Sequence, residues 1–296
     1  MNEPEGFDVK RCAKCAAWIP TTATKCSYCD TSSPDEPPAR SRGPVFSLRH
    51  GVSATNALIA VNGGFFLFSL LAAKLRGLEG NLFQWGTTGT GFGQGVWLSG
   101  GYFHSDVAGG QWWRILAATF LHFGLLHIAM NMYALSHLGR VAEQLFGTAK
   151  FLTVYLLAGV GSTMAISVWF AYVRHEPDKV LMAGASGSIF GIMGLLAVVL
   201  LRGGTHAAQQ MGRGLVKDVV VMLAIGFVVP MISNTGHVGG LLVGAACGLF
   251  VKDRFSEKLN PASRARWTRI AFVMVFVAAA SLVAAAWFAL TYKGAT

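Results

Sequence analysis

Charge is what this chain has least of. Only 13% of its 296 residues are Asp, Glu, Lys or Arg, about half the share usual in a soluble domain of this length. Residues 270–290 contain none at all. With 53% apolar residues and a mean hydropathy of +0.49, polar side chains are too few to cover a water-soluble fold. Apolar stretches of ~20 residues are therefore read as membrane spans. Residues 1–50 also lack the apolar core of a signal peptide, so export of the N-terminal segment is not expected. No internal repeat, parallel or inverted, is evident. That absence weakens a secondary-transporter reading, since many such folds are built from repeats.

What is there, then, is a series of apolar stretches. Seven are legible, at residues 54–73, 115–138, 151–173, 185–201, 219–232, 238–251 and 270–290, the fifth and sixth being the shortest. The net charge of +10 is distributed unevenly between them. With the N-terminus placed inside, 18 of the Lys and Arg residues fall on the inner side and six on the outer. This is the asymmetry that the positive-inside rule demands of a protein with N-terminus in the cytoplasm and C-terminus outside. The basic charge is thus mostly topology, and its spread argues against nucleic acid as a partner. Binding of anionic lipid headgroups is a secondary reading. The expectation is an all-α polytopic membrane protein, located in the cell (inner) membrane.

The first 50 residues differ in kind. They hold four of the five cysteines, as Cys12-x-x-Cys15 and Cys26-x-x-Cys29 with ten residues between the pairs. Two such knuckles can close a tetrahedral Zn2+ site, and a ribbon this small needs a staple in place of a core. A pair of disulfides is the alternative, which a reducing cytoplasm disfavours. Cys12, Cys15, Cys26 and Cys29 are the expected zinc ligands. The zinc is expected to be structural, or to dock a cytosolic protein partner. Residues 32–44 (SSPDEPPARSRGP) are rich in Pro, Ser and charge, the composition of a linker. The expected organisation is a zinc-ribbon-like module at 1–31, a linker at 32–50, a helical core at 51–251, and a basic loop plus a seventh helix at 252–296.

Residues 75–113 are too many for a tight turn and are dense in Gly and Trp, including Trp85, Trp97, Trp112 and Trp113. Tryptophans of this kind favour the headgroup level, so a loop lying in the outer leaflet is expected in preference to a disordered linker.

Ionisable groups inside a span are costly and mark sites by default. The second stretch carries His122, His127 and Asn131. His127 and Asn131 are four apart and share one helix face, to which both present donors. Interhelical hydrogen bonding is the bland explanation for any one of them. A His and an Asn stacked on one face, with another buried His opposite, favour a site.

The fourth stretch opens Gly184-Ala185-Ser186-Gly187-Ser188, and the sixth contains His237-Val-Gly-Gly240-Leu-Leu-Val-Gly244. Gly187 and Gly191, like Gly240 and Gly244, lie four apart, a spacing that lets two helix backbones approach closely. If those faces pack together, Ser186 and His237 meet at one membrane depth, and His237 can take the Ser186 proton. No Asp or Glu in the spans is obviously placed to orient the imidazole, so a dyad is expected and not a triad.

The combination of Trp113-Arg114, the His122/His127/Asn131 stretch, Gly184-Ala185-Ser186-Gly187 and His237-x-x-Gly240-x-x-x-Gly244 resembles the rhomboid intramembrane proteases. The resemblance covers about residues 50–251. It implies a rhomboid-like helical bundle and an intramembrane serine endopeptidase that cuts transmembrane protein substrates within the lipid bilayer and needs no cofactor for catalysis. By resemblance Ser186 is the nucleophile and His237 the general base, and His127 and Asn131 donate to the oxyanion together with the Ser186 N–H. Gly184, Gly187, Gly240 and Gly244 are structural, as are Arg114 and Glu143, in and around the loop between the first two spans. The fifth span looks like the lateral gate for substrate, and the seventh matches the family's six-plus-one form. Two other readings compete. One is a rhomboid-like protein that binds membrane clients without cutting, which the presence of both Ser186 and His237 argues against. The other is a channel or transporter lined by His122, His127 and Asn131, which leaves the Ser186 surroundings and the lack of repeats unexplained.

Overall fold

The computed structural model describes residues 8–13, 18–27, 32, 35, 53–78, 91–175, 181–229, 232–252 and 261–292. The chain divides into two compact units, Met1–Gly51 and Val52–Thr296.

In the first unit, β1 (Val9–Arg11) pairs antiparallel with β2 (Trp18–Pro20), Arg11 lying opposite Trp18. This hairpin folds the chain back so that Cys12, directly after β1, and Cys26, beyond β2, are both buried around Ile19. Cys15 and Cys29 lie outside the described residues, as does most of 32–50. Among the described residues no three His, Cys, Asp or Glu side chains come together.

The second unit is helical, and side-chain caps fix where several helices start. Ser53 Oγ accepts from the Asn56 N–H at the head of α1 (Ala54–Leu75). Glu143 reinforces this cap: its carboxylate accepts from the N–H groups of Ala54 and Thr55 and from the Thr55 hydroxyl, at 2.8–3.0 Å. A carboxylate here meets the orphan donors and the positive end of the helix dipole together. Glu143 therefore acts at the start of α1, a structural role outside the loop itself.

That loop holds two short helices, α2 (Gly91–Leu98) and α3 (His104–Ala108), while residues 79–90, with Trp85, lie outside the described part. The second apolar stretch is not one straight helix. α4 (Arg114–Ala117) runs through a tight turn to Phe120, the chain extends over Leu121–Gly124, and α5 (Leu125–Ala134) restarts at about 90°. His122 falls in this break, so it does not share a helix with His127 and Asn131. Through a π-helical turn α5 continues into α6 (Arg140–Phe146).

Then follow α7 (Thr148–Val168), with a π-helical turn to Val173, α8 (Ser186–Leu201), α9 (His206–Val228), α10 (Asn234–Phe250) and α11 (Pro261–Thr291). The fifth and last helices are longer than their apolar stretches. α9 begins 13 residues before 219, on a polar turn capped by Thr205, and α11 begins on the basic segment around Arg264. Hydropathy marks only the part of a helix that lipid or core surrounds, so polar helix ends escape it.

α8 is the central helix. Every residue from Gly187 to Ala197 is buried, against α7, α9 and α10. Among the described residues α1, α7 with its extension, and α11 are long and apolar enough to cross a bilayer, and the bent pair makes a fourth. α8 is apolar but shorter. Length and composition alone thus account for three or four crossings and leave the remaining helices to be argued from the site. The protein is a multi-pass membrane protein.

Candidate active site

Helices without large side chains between them can pack backbone to backbone, and α8 and α10 do so. A Cβ on Gly240 would run into the carbonyl oxygen of Gly187, and one on Gly244 into that of Gly191. Nothing but hydrogen fits at either position. Ser233 caps α10 by accepting from the Gly236 N–H, which sets His237 on the first turn, while Ser186 is the first residue of α8. The two helix starts therefore lie side by side, and His237 Nε2 is 2.9 Å from Ser186 Oγ.

What holds the imidazole is an aromatic ring. Phe190 lies one turn after Ser186 on the same face of α8, and its ring stacks on His237 with centroids 4.1 Å apart and planes 11° from parallel. His237 Nδ1 is buried and has no hydrogen-bond partner among the described residues. Sequence reasoning missed Phe190: its i+4 spacing puts it on the face of Ser186, but only the packing of α10 brings His237 to its ring.

His127 approaches from α5. The Phe123 N–H, in the break before α5, donates to His127 Nδ1 at 3.3 Å. That bond leaves the proton on Nε2, which makes Nε2 the donor. Nε2 faces Gly184, where a Cβ would stand 3.1 Å from it and 3.7 Å from Ser186 Oγ. Gly184 has φ +142°, a conformation L side chains rarely adopt, so both strain and space demand glycine there. Asn131 is buried one turn on and spends one amide hydrogen on the His127 carbonyl at 2.9 Å, leaving the other available. His122 is fully buried beside His127, with ring centroids 5.1 Å apart, behind the cavity and not on its wall. Ser188 turns away from the pair, toward Gly159 of α7.

These groups line one cavity of about 210 Å³. Ser186, His237, His127 and Asn131 face it, and Met222 and Ile225 of α9 form part of its apolar wall. A hydroxyl with an imidazole acceptor and neighbouring N–H donors is equipped for nucleophilic attack on a carbonyl carbon and for holding the resulting oxyanion. The first peptide N–H groups of α8 are unpaired within the helix and add to that donor set.

Arg114 lies elsewhere in this unit. Its guanidinium is fully buried and donates to the carbonyls of Trp97 at 2.7 Å and Gly101 at 2.6 Å, and to Gln111 Oε1 at 2.7 Å. It thereby ties the loop after α2 to the start of α4, a structural role.

Comparison with known proteins gives the same direction. Over 160 residues the chain is 36% identical to the rhomboid protease GluP of Bacillus subtilis, covering 53% of this chain and 30% of that protein. It is 30% identical over 189 residues to the RHOMBOID-like protein 6, mitochondrial, of Arabidopsis thaliana, covering 60% and 59%. With the rhomboid protease AarA of Providencia stuartii the identity is 25% over 218 residues, covering 68% and 72%. The chain thus spans about a third of the Bacillus protein and three-fifths of the Arabidopsis one. Residues 109–254, which include Ser186, His237, His127 and Asn131, match the family described as the Rhomboid domain, and these similarities support placing the helical unit in the rhomboid family.

Proposed function

We propose that the chain is an intramembrane serine endopeptidase that cleaves transmembrane segments of membrane proteins with a Ser186–His237 dyad. The observation that carries this reading is the 2.9 Å hydrogen bond between His237 Nε2 and Ser186 Oγ, on the wall of a cavity that His127 and Asn131 also line. Ser186 Oγ attacks the scissile carbonyl as His237 takes its proton. The oxyanion is held by the Ser186 N–H, His127 Nε2–H and the second Asn131 amide hydrogen. His237 then returns the proton to the leaving amine, and water, activated by the same imidazole, hydrolyses the acyl ester.

A 16-residue α8 rises only about 24 Å, less than the ~30 Å of a bilayer core. As the fourth span of a chain with its N-terminus inside, α8 ends at the inner face, so Ser186, its first residue, lies within the outer half, where water reaches it from above and substrate from the side. Seven spans, with N-terminus inside and C-terminus outside in the cell membrane, complete this arrangement. α9 is the side through which substrate passes: it borders the cavity with Met222 and Ile225 and exposes Phe227 and Val228. A helical segment shields its own peptide bonds, so substrates with helix-breaking residues and a small residue at the cleavage position are favoured.

The N-terminal unit is read as a zinc ribbon. One cysteine of each knuckle, Cys12 and Cys26, is buried in the same small cluster, the juxtaposition a shared metal requires. Bound zinc would supply the folding free energy a unit this small lacks, and its outer surface would serve a cytosolic protein partner.

Labelling with a fluorophosphonate probe tests the reading. The wild-type protein is expected to label covalently and Ser186→Ala to remain unlabelled. Labelling that survives Ser186→Ala contradicts it.

A further inference from the structure

α11 is a helix the dyad does not touch, yet its last turns pack on α4 and on the end of α2, which Arg114 joins. Its buried face consists of small residues, Ala271, Ala278, Ser281, Ala285 and Ala289, which let it lie close on α7 and α4. Toward its C-terminal end the contacts become specific. Trp113, Ala117 and Ala285 form one buried cluster, with Phe288 packed on it. Arg76, following α1, donates to the Ala289 carbonyl at 2.8 Å. Gly100 has φ +109°, and a Cβ there would stand 3.0 Å from the Cβ atoms of both Ala117 and Ala285.

Phe288 also walls the site of Arg114. The Arg114 Cζ lies 4.9 Å from the Phe288 ring centroid, 4.7 Å from Trp113 and 5.2 Å from Trp97. Phe288 and Tyr292 both meet Trp97 edge to face, at 5.8 Å and 5.2 Å. The indole N–H of Trp97 donates to Asp106 at 2.8 Å, and that carboxylate is 3.6 Å from Arg114 Nε. The cation is thus enclosed by three rings, one of them from the last helix.

From Arg114 the path to the dyad is short and hydrogen-bonded. Arg114 Nη1 grips the Gly101 carbonyl at 2.6 Å. The next residue, Tyr102, exchanges both backbone hydrogen bonds with Met182, at 2.9 and 3.0 Å. Two residues further, the Gly184 N–H donates to the carbonyl of Ala118, one turn after Arg114. Residues 182–184 are therefore held from two sides by elements that Arg114 joins. They set the position of Gly184 against His127 and of Ser186 at the head of α8.

We infer that the C-terminal end of α11, through Phe288 and the following Tyr292, is a positioning element for the active site, acting through Arg114 and the Tyr102–Met182 bridge. This inference rests on the protease reading. Phe288 and Tyr292 are positioning residues and touch no reacting atom.

The test is turnover of a single-span substrate in proteoliposomes by the full chain, with active sites counted by fluorophosphonate labelling. Phe288→Ala and Tyr292→Ala are expected to lower kcat per labelled site roughly tenfold or more, since misplacement of reacting groups by about 1 Å costs up to a hundredfold. KM should hardly change, and Phe288→Tyr should restore kcat. Phe276→Ala, whose side chain is exposed on α11, should match wild type. A merely structural role lowers the melting temperature and the number of labelled sites but leaves kcat per site intact, and that result overturns the inference. If Phe288→Ala does not fold, Tyr292→Ala at the edge of the same cluster decides by the same criterion. Wild-type turnover that persists in Ser186→Ala instead overturns the protease reading, and the inference with it.

Discussion

The imidazole of His237 lies flat on the ring of Phe190, 4.1 Å between centroids and 11° from parallel. With no hydrogen-bond partner on Nδ1 among the described residues, this ring restrains the base. Aromatic pairs of this kind are worth about 0.5–1.5 kcal/mol beyond their buried area, or roughly up to tenfold in rate. Phe190→Leu is expected to lower kcat by about that factor with KM little changed, and Phe190→Tyr to stay close to wild type. Equal kcat for Phe190→Leu and wild type would show that the stack does not orient His237.

The contact of α8 with α10 predicts a contrast between glycines. Gly240→Ala and Gly244→Ala place a methyl against the carbonyls of Gly187 and Gly191. Overpacking of this kind costs about 1–3 kcal/mol or more, and here it also parts Ser186 from His237. Both variants are expected to melt earlier and to lose activity. Gly214→Ala, on α9 with nothing within 4 Å of its Cβ, is expected to be neutral or stabilising by up to ~1 kcal/mol. Thermal melts in detergent, paired with cleavage assays, check both.

Much of this site was legible before any coordinates, for physical reasons. An ionisable group in an apolar run is expensive, so His127 and His237 stand out of the sequence, while Ser186 is picked out by the glycines around it and by the resemblance. The four-residue glycine spacing announces a close helix pair, though not which helices pair. Three things were hidden. The break at Leu121–Gly124 carries no proline and no run of polar residues, so His122 read as a helix residue. Phe190 looks like any core aromatic until its neighbour is known. The Glu143 cap joins residues 88 and 89 positions apart, a pairing that spacing cannot disclose.

For the N-terminal unit, metal analysis of the purified full chain is expected to find one zinc per protein, lost on replacing Cys12 and Cys26 with Ser. Removing residues 1–40 should leave cleavage of a single-span substrate largely intact, because the Pro-rich linker separates this unit from the dyad. A truncated protein that is well folded yet inactive would mean that the unit couples to catalysis.

The proposed topology rests on the positive-inside rule, which with the N-terminus inside assigns 18 basic residues to the inner side and six to the outer. Single cysteines introduced at Ser32 and Thr296 should react with an impermeant thiol reagent from opposite sides of the membrane. Reaction of both from the same side would exclude the seven-span arrangement.

The central claim is tested most directly by cleavage of a reconstituted single-span substrate by Ser186→Ala, His237→Ala, His127→Ala and Asn131→Ala, each confirmed as folded by its melt. Ser186→Ala is expected to be inert, and His237→Ala nearly so, since an unassisted hydroxyl is a poor nucleophile. Losing one oxyanion donor removes about 3–4 kcal/mol of transition-state stabilisation, or ~10²–10³ in rate. Asn131→Ala and His127→Ala should therefore be slow, with their residual activity abolished by adding Ser186→Ala. Continued cleavage by Ser186→Ala, with Asn131→Ala or His127→Ala inert, would contradict a serine dyad.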